Sequence, residues 1–208
     1  MTEVTGVPEA KRALRSQIRA ARRERVQRVD LGAAAGALAD AALAVVGALP
    51  GEGQRVCRVA AYQALATEPP TDVLIAALRA ARHEVILPVL EPDRSLTWDL
   101  DGRALPADAL GACDLVLAPA LAVDQGGRRL GQGGGSYDRA LASARTGTPV
   151  LALVWDEEVL EAGSVPTEPH DRPVDGVITP AGGVVLFKTS VFRTSVFGTS
   201  GFRTSARG

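Results

Sequence analysis

Short runs of almost unbroken apolar residues recur along this chain between segments of helical pattern, and that alternation most limits what it can fold into. VCRVAAY (Val56 to Tyr62), EVILPVL (Glu84 to Leu90), DLVLAPALAV (Asp114 to Val123), TPVLALVW (Thr148 to Trp155) and DGVITP (Asp175 to Pro180) read as strands, with SLTWDL (Ser95 to Leu100) a weaker one. A strand with one wet face alternates apolar with polar residues; these do not, so both of their faces must be covered. TDVLIAALRAAR (Thr71 to Arg82), with Thr71 at its N-cap, and SYDRALASAR (Ser136 to Arg145) supply helices between strands, and a short helical turn falls near Glu157 to Leu160. Two helices precede the first strand. PEAKRALRSQIRAARRERVQRV, Pro8 to Val29, has strong helix formers and no internal glycine, and an Ala-rich segment from Leu31 to Leu49 ends at PGEG. The pattern predicts an α/β protein with a mostly parallel sheet.

A chain of 208 residues is long enough for one sizeable core and short for two. Residues 1–186 are expected to form one domain. The net charge of -1 removes any whole-chain argument for nucleic acid or an anionic membrane as a partner. Lys11, Arg15 and Arg19 share one helical face, but Arg19, Arg22 and Arg23 read as a solvated charged surface. The two cysteines, Cys57 and Cys113, lie in apolar runs and are expected to be buried free thiols. The first thirty residues are too charged for a signal peptide, and no apolar run approaches the roughly 20 residues of a membrane span, so a soluble cytoplasmic protein is expected. Residues 187–208 carry a five-residue repeat, FKTSV, FRTSV, FGTSG and FRTSA, whose period matches neither helix nor strand. A disordered low-complexity tail is expected there, with a partner-binding or membrane-touching segment, using its Phe residues with Lys188, Arg193 and Arg203, as the alternative.

The stretch RRLGQGGGSYDRAL, Arg128 to Leu141, follows a strand and runs into a helix, which puts it beyond the carboxyl end of the sheet, where open parallel sheets hold their ligands. Glycines let backbone approach a ligand, a helix start offers unpaired N–H groups, and Arg128 and Arg129 add positive charge. Together these make an anion cradle. A dinucleotide fingerprint fails because Ser136 stands where the third glycine would be, and a lysine-type phosphate loop fails for want of the lysine. From the residues alone, a mobile surface loop remains open, and Asp138 reads equally well as a cap in the first helical turn.

KxxLR at Lys11 to Arg15, YQALATEPPT at Tyr62 to Thr71, ILPVL at Ile86 to Leu90, LVLAPALAVDQGGRRLGQGGGSYDR at Leu115 to Arg139 and HDRPVDGVIT at His170 to Thr179 occur in an order that resembles the 5-formyltetrahydrofolate cyclo-ligase family, also called 5,10-methenyltetrahydrofolate synthetases. The resemblance spans Lys11 to about Thr179 and leaves out the repeat. It implies a three-layer α/β/α sandwich and a ligase that uses ATP and Mg2+ to close 5-formyltetrahydrofolate to 5,10-methenyltetrahydrofolate, releasing ADP and phosphate. No protein nucleophile is implied, so the chain would act by positioning and charge.

Position by position, the resemblance implies ATP contacts at Lys11, Arg15, Arg129, Gly131, Gly133, Gly134, Gly135 and Tyr137. It implies substrate contacts at Gln63, Glu68, Gln132, Gly133, Gly134, Gly135 and Ser136, and magnesium at Asp138 and Asp171. Without it Glu68 would read as a solvated loop charge; His170 reads as a turn residue and Asp175 as a strand start. Ser136 departs from the family's usual tyrosine: it keeps a hydroxyl suited to an N-cap but no aromatic face, so Tyr137 or Trp98 is expected to supply the packing. Two rivals remain: another enzyme on a related sheet, such as a sugar-phosphate isomerase or CoA-transferase, and a module whose basic helix holds RNA. A monomer is favoured.

Overall fold

The computed structural model describes residues 6–50 and 55–187, with the backbone of 202–204. Its strands are β1 (Arg58–Ala60), β2 (Glu84–Leu90), β3 (Leu96–Leu100), β4 (Arg103–Leu105), β5 (Leu115–Pro119), β6 (Ala122–Asp124), β7 (Arg129–Leu130), β8 (Val150–Leu153), β9 (Val159–Leu160), β10 (Gly176–Thr179), β11 (Gly183–Leu186) and β12 (Phe202–Thr204). The helices are α1 (Gly6–Arg25), α2 (Leu31–Gly47), α3 (Asp72–Ala80) and α4 (Ser136–Leu141).

The main sheet runs β12-β11-β10-β8-β5-β1-β2-β3-β4. Its centre, β10, β8, β5, β1 and β2, is parallel throughout. Antiparallel strands flank it: β11 folds back on β10, and β3 and β4 follow β2 as a meander. The continuous apolar runs are explained by two-sided burial. Val59, Leu115, Leu117, Leu151, Leu153 and Ile178 face a cluster with Leu38, Ala42 and Val45 of α2 and Leu74 and Leu78 of α3. On the other face Ala60, Ile86 and Val116 meet Trp98, Leu110 and Leu141, while Ala152 and Val177 meet Val154 and Val174. The layers are therefore α/β/α, as expected.

Several boundaries differ from the sequence expectation. The apolar run Asp114 to Val123 is two strands: after Pro119 the chain leaves the main sheet, and β6 joins a small sheet of order β7-β6-β9. The glycine segment is thus not one open loop, since Arg129–Leu130 returns antiparallel to β6. Asp124 organises this turn: fully buried, it accepts hydrogen bonds from the backbone N–H groups of Gly126, Arg128, Gly163 and Val165. Gly127, at φ +82°, is required there, because a Cβ would lie 2.4 Å from the Val174 carbonyl.

Thr71 stands at the N-cap of α3 but does not cap it: its hydroxyl donates to Tyr62 O and accepts from Ala64 N. The helix expected to reach Arg145 stops at Leu141, where Ser143 and its hydroxyl turn back to the Ala140 carbonyl. Asp175 opens β10, as expected, accepting from Val150 N. Of the repeat, Phe187 packs on the cluster around Val174 and Phe202–Thr204 pairs with β11; the rest of the expected tail lies outside the described residues. Among the described residues no helix is long and apolar enough to cross a membrane.

On the basic face of α1, Arg19 and Arg23 are exposed as expected, but Arg22 is 0% exposed. Its Nε and Nη2 donate to the two oxygens of Glu158, each at 2.8 Å, and Nη2 also reaches Ala120 O at 2.6 Å. Around it Leu14 and Ile18 pack on Leu121, Ala122, Leu130 and Val165. Arg22→Ala strands a buried carboxylate and is expected to cost about 3–5 kcal/mol in urea unfolding, with Arg22→Lys restoring only part because an ammonium lacks the fork; a loss under about 1 kcal/mol contradicts this. Both cysteines are buried, and burial pushes the Cys113 thiol up to about 12. Neither is expected to react with a thiol reagent at about pH 8 until the chain unfolds.

Candidate active site

At the carboxyl ends of the parallel strands lies a cleft of about 450 Å³ assembled from three distant segments. The start of α1 contributes Lys11 and Arg15, the glycine segment contributes Arg129 to Asp138, and the loop before β10 contributes Glu168, His170 and Asp171. Of the residues the resemblance singled out, Lys11, Arg15, Arg129, Gly131, Gln132, Gly133, Gly134, Gly135, Ser136, Tyr137, Asp138 and Asp171 all line it.

Charges in the cleft are paired. Lys11 Nζ donates to Asp171 Oδ2 at 2.6 Å and to Glu168 Oε2 at 2.7 Å. Burial alone would lower the Lys11 pKa, but the two carboxylates outweigh it and hold it above its usual value. Burial likewise pushes Asp171 up, and the bonds from Lys11 and from Glu168 N–H outweigh it, leaving this carboxyl below its ordinary value. Arg129, buried, donates through Nη2 to Asp138 Oδ1 at 2.6 Å and through Nη1 to Pro119 O. Arg172 N also donates to Asp138 Oδ1, so both hydrogen bonds of this carboxylate fall on one oxygen. Arg128, by contrast, is exposed and outside the cleft, so only one of the two arginines serves it.

Helix α1 fastens the glycine segment. Arg15 Nε donates to Gly131 O at 2.9 Å, and Arg19, exposed as expected, donates at the surface to the carbonyl and side-chain oxygen of Gln132. Gly133 and Gly135 take φ of +103° and +68°. These conformations disfavour any side chain. Gly135, not Ser136, occupies the N-cap position of α4, and the Ser136 hydroxyl instead donates to Arg94 O at 2.7 Å. Since α4 is only six residues long, its dipole adds little, and the cleft's positive charge comes from side chains.

Glu68 is 5% exposed rather than solvated. Its Oε1 accepts from Gln132 Nε2 at 3.0 Å, its Oε2 from Leu65 N, and Arg22 Nη1 lies 3.8 Å away. Glu68 lines a neighbouring cavity of about 510 Å³ together with Gln63, Leu65, Thr71 and Ile75. Gln63 is therefore separated from the glycine cleft, and Gln132 links the two spaces. Tyr137 meets Trp98 edge-on, ring centroids 6.5 Å apart, and burial raises its hydroxyl pKa. Trp98 is only 1% exposed and does not line the cleft, so it backs Tyr137 rather than offering a face to a ligand.

Glu168 was not legible as a site residue. Its carboxylate, one nitrogen of His170 and an oxygen of Asp171 lie within 4.8 Å of one another. His170 remains largely exposed, with 69% of its side chain in solvent.

Cations, glycine backbone and carboxylates thus gather at the carboxyl edge of a doubly covered sheet, where α/β enzymes hold their ligands. Residues 7–180 match the model of the 5-formyltetrahydrofolate cyclo-ligase family, and the chain belongs to that family. A curated 5-formyltetrahydrofolate cyclo-ligase from Mycolicibacterium smegmatis is 35% identical over 65% of this chain and 78% of its own, and one from Escherichia coli K12 is 32% identical over 59% and 78%. The fold matches a solved 5,10-methenyltetrahydrofolate synthetase from Aquifex aeolicus, 21% identical, with a TM-score of 0.64 over 86% of this chain and 94% of that one. One from Mycoplasma pneumoniae, 19% identical, gives a TM-score of 0.62 over 80% and 96%.

A methyl group on Gly133 is opposed by its φ, while Arg15, 3.4 Å from where Cβ would stand, would be in ordinary contact. Gly133→Ala is therefore expected to cost about 1–2 kcal/mol of stability. Thermal unfolding checks this, and an unchanged midpoint contradicts it.

Proposed function

We propose that this chain closes 5-formyltetrahydrofolate to 5,10-methenyltetrahydrofolate at the expense of ATP, with Mg2+ as cofactor. The observation that carries the reading is the convergence of Lys11, Arg15, Arg129, the glycines 131–135, Asp138 and Asp171 on one cleft from three segments, the first of them more than a hundred residues from the other two. Lys11, Arg15 and Arg129 would face the phosphates, with Gly131 to Gly135 bringing backbone close and Tyr137 walling the site. Glu68, with Gln132, Ser136 and more distantly Gln63, would hold the folate.

The residues suit a hard cation: Asp138 and Asp171 are carboxylates that both line the cleft, and oxygen donors of this kind suit magnesium. When bound there, the ion would neutralise charge on the phosphates. The chain's own part is to align the formyl oxygen with the γ-phosphate, and then N10 with the activated carbon as phosphate leaves. Nothing covalent is asked of the protein. Among the described residues the buried Tyr137 OH, whose side chain lines the cleft, has no hydrogen-bond partner. Such a group costs about 1–3 kcal/mol unless satisfied, and a polar ligand in the cleft would supply a partner.

The rival RNA-binding reading loses part of its basic surface, because Lys11, Arg15 and Arg22 are turned to partners within the chain, although Arg12, Arg19 and Arg23 stay exposed. The near-ultraviolet absorbance of the methenyl product should grow only with MgATP present. Asp138→Ala is expected to lower turnover about a hundredfold, and Glu68→Gln to raise KM for the folate about tenfold with a smaller change for ATP. A folded Asp138→Ala with normal MgATP-dependent turnover would overturn the reading of that residue; phosphate-ester turnover without ATP would favour an isomerase instead.

A further inference from the structure

Both carboxylates offered to a metal are already neutralised by cations of the chain, but the two cations are held differently. Arg129 is buried and also tied to the Pro119 carbonyl, so it has no freedom to leave Asp138. Lys11 is equally buried, but among the described residues its side chain bonds only Glu168 and Asp171, and no backbone carbonyl ties its flexible stem near the start of α1. Its ammonium occupies the space between Oε2 of Glu168 and Oδ2 of Asp171. Metal-ligating atoms of Glu168, His170 and Asp171 span no more than 4.8 Å. Two bonds of about 2.1 Å to a divalent cation bridge most of that gap. The ammonium and such an ion would therefore claim the same oxygens, and like charge forbids both at once.

We propose that Lys11 is an exchangeable internal counter-ion: it holds Glu168 and Asp171 in the free protein, yields them to the divalent cation, and carries its ammonium to the phosphates in the same cleft. Glu168 thereby becomes a further carboxylate at the metal. The inference rests on the metal role proposed above for Asp171. Arg15, one turn further along α1, bonds the Gly131 carbonyl rather than a carboxylate and stays in place through the exchange. The exchange leaves no charge alone in the cleft at either end: before it, ammonium faces carboxylates; after it, ammonium faces phosphate and carboxylates face metal.

Mn2+ alone is the probe, titrated into the full chain without nucleotide and followed by loss of the free ion's paramagnetic resonance signal. Lys11→Met is expected to bind it about tenfold or more tighter than the native chain, the scale of removing a unit charge a few ångströms away in a water-lined cleft. Lys11→Arg, which keeps the charge, is expected to bind no tighter, and Glu168→Gln added to Lys11→Met to reverse the gain. Equal affinity in Lys11→Met and the native chain overturns the proposal, as does an equal gain in Lys11→Arg. A second measurement needs no substitution: acetylation of Lys11, read by mass spectrometry, should quicken severalfold at saturating Mn2+ and slow again with EDTA, and an unchanged rate overturns it. Failure of the underlying metal reading looks different, because Asp171→Asn would then keep its MgATP-dependent turnover.

Discussion

A guanidinium with no solvent at all must be answered by the chain around it, and the answer given to Arg22 sets the geometry of everything near the cleft. The bidentate pair with Glu158 fixes the far end of α1 to the turn after β8, and the bond to Ala120 O fixes it to the point where the chain leaves β5. An unpaired charge in that position would cost several kcal/mol, so the register of the helix is strongly specified. With 1.5 Å of rise per residue, Lys11 then falls about 16 Å along the same face, with Arg15 between them. The helix acts as a ruler between a buried anchor and the mouth of the cleft.

The same anchor reaches the glycine segment through polar contacts rather than packing. Arg22 stands behind Glu68, Glu68 holds Gln132, and Gln132 with Gly131 is gripped from α1 by Arg19 and Arg15. A segment with glycines at positive φ gains no order from its own side chains. Its position is borrowed from α1 and from the hairpin that Asp124 ties together. This explains how so much glycine can form a defined wall: the flexible residues are few, and fixed points bracket them.

The central sheet was legible because buried parallel strands write themselves as continuous apolar runs, and Val59, Leu117, Leu153 and Ile178 do so. The short strands β4, β7, β9 and β11 were not, since two to four residues carry no period. Arg22 was misread for a different reason. On its own helix it is one arginine among several, and its burial depends on Glu158, 136 residues away. Most of the cleft residues became legible only through the family resemblance, and Glu168 escaped even that, because Lys11 rather than any sequence pattern identifies it. Gln63 shows the converse: adjacent in sequence to Glu68's segment, it opens on the neighbouring cavity.

The charge balance of the cleft follows from what it would have to receive. Lys11, Arg12, Arg15 and Arg129 line it with Asp138, Glu168 and Asp171, four cations against three carboxylates. A cleft lined only by cations would attract a nucleotide but repel its metal; one lined only by carboxylates would do the reverse. Interleaving the two gives Lys11, Arg129 and the three carboxylates opposite partners before a metal–nucleotide complex enters, with Arg12 and Arg15 left to face added negative charge. The requirement also says which pairs should be loose. A pair that must re-form with new partners needs a member free of backbone ties, which Lys11 supplies although it is buried, whereas Arg129 and Arg22, locked by backbone carbonyls, can only hold the frame in which that exchange occurs.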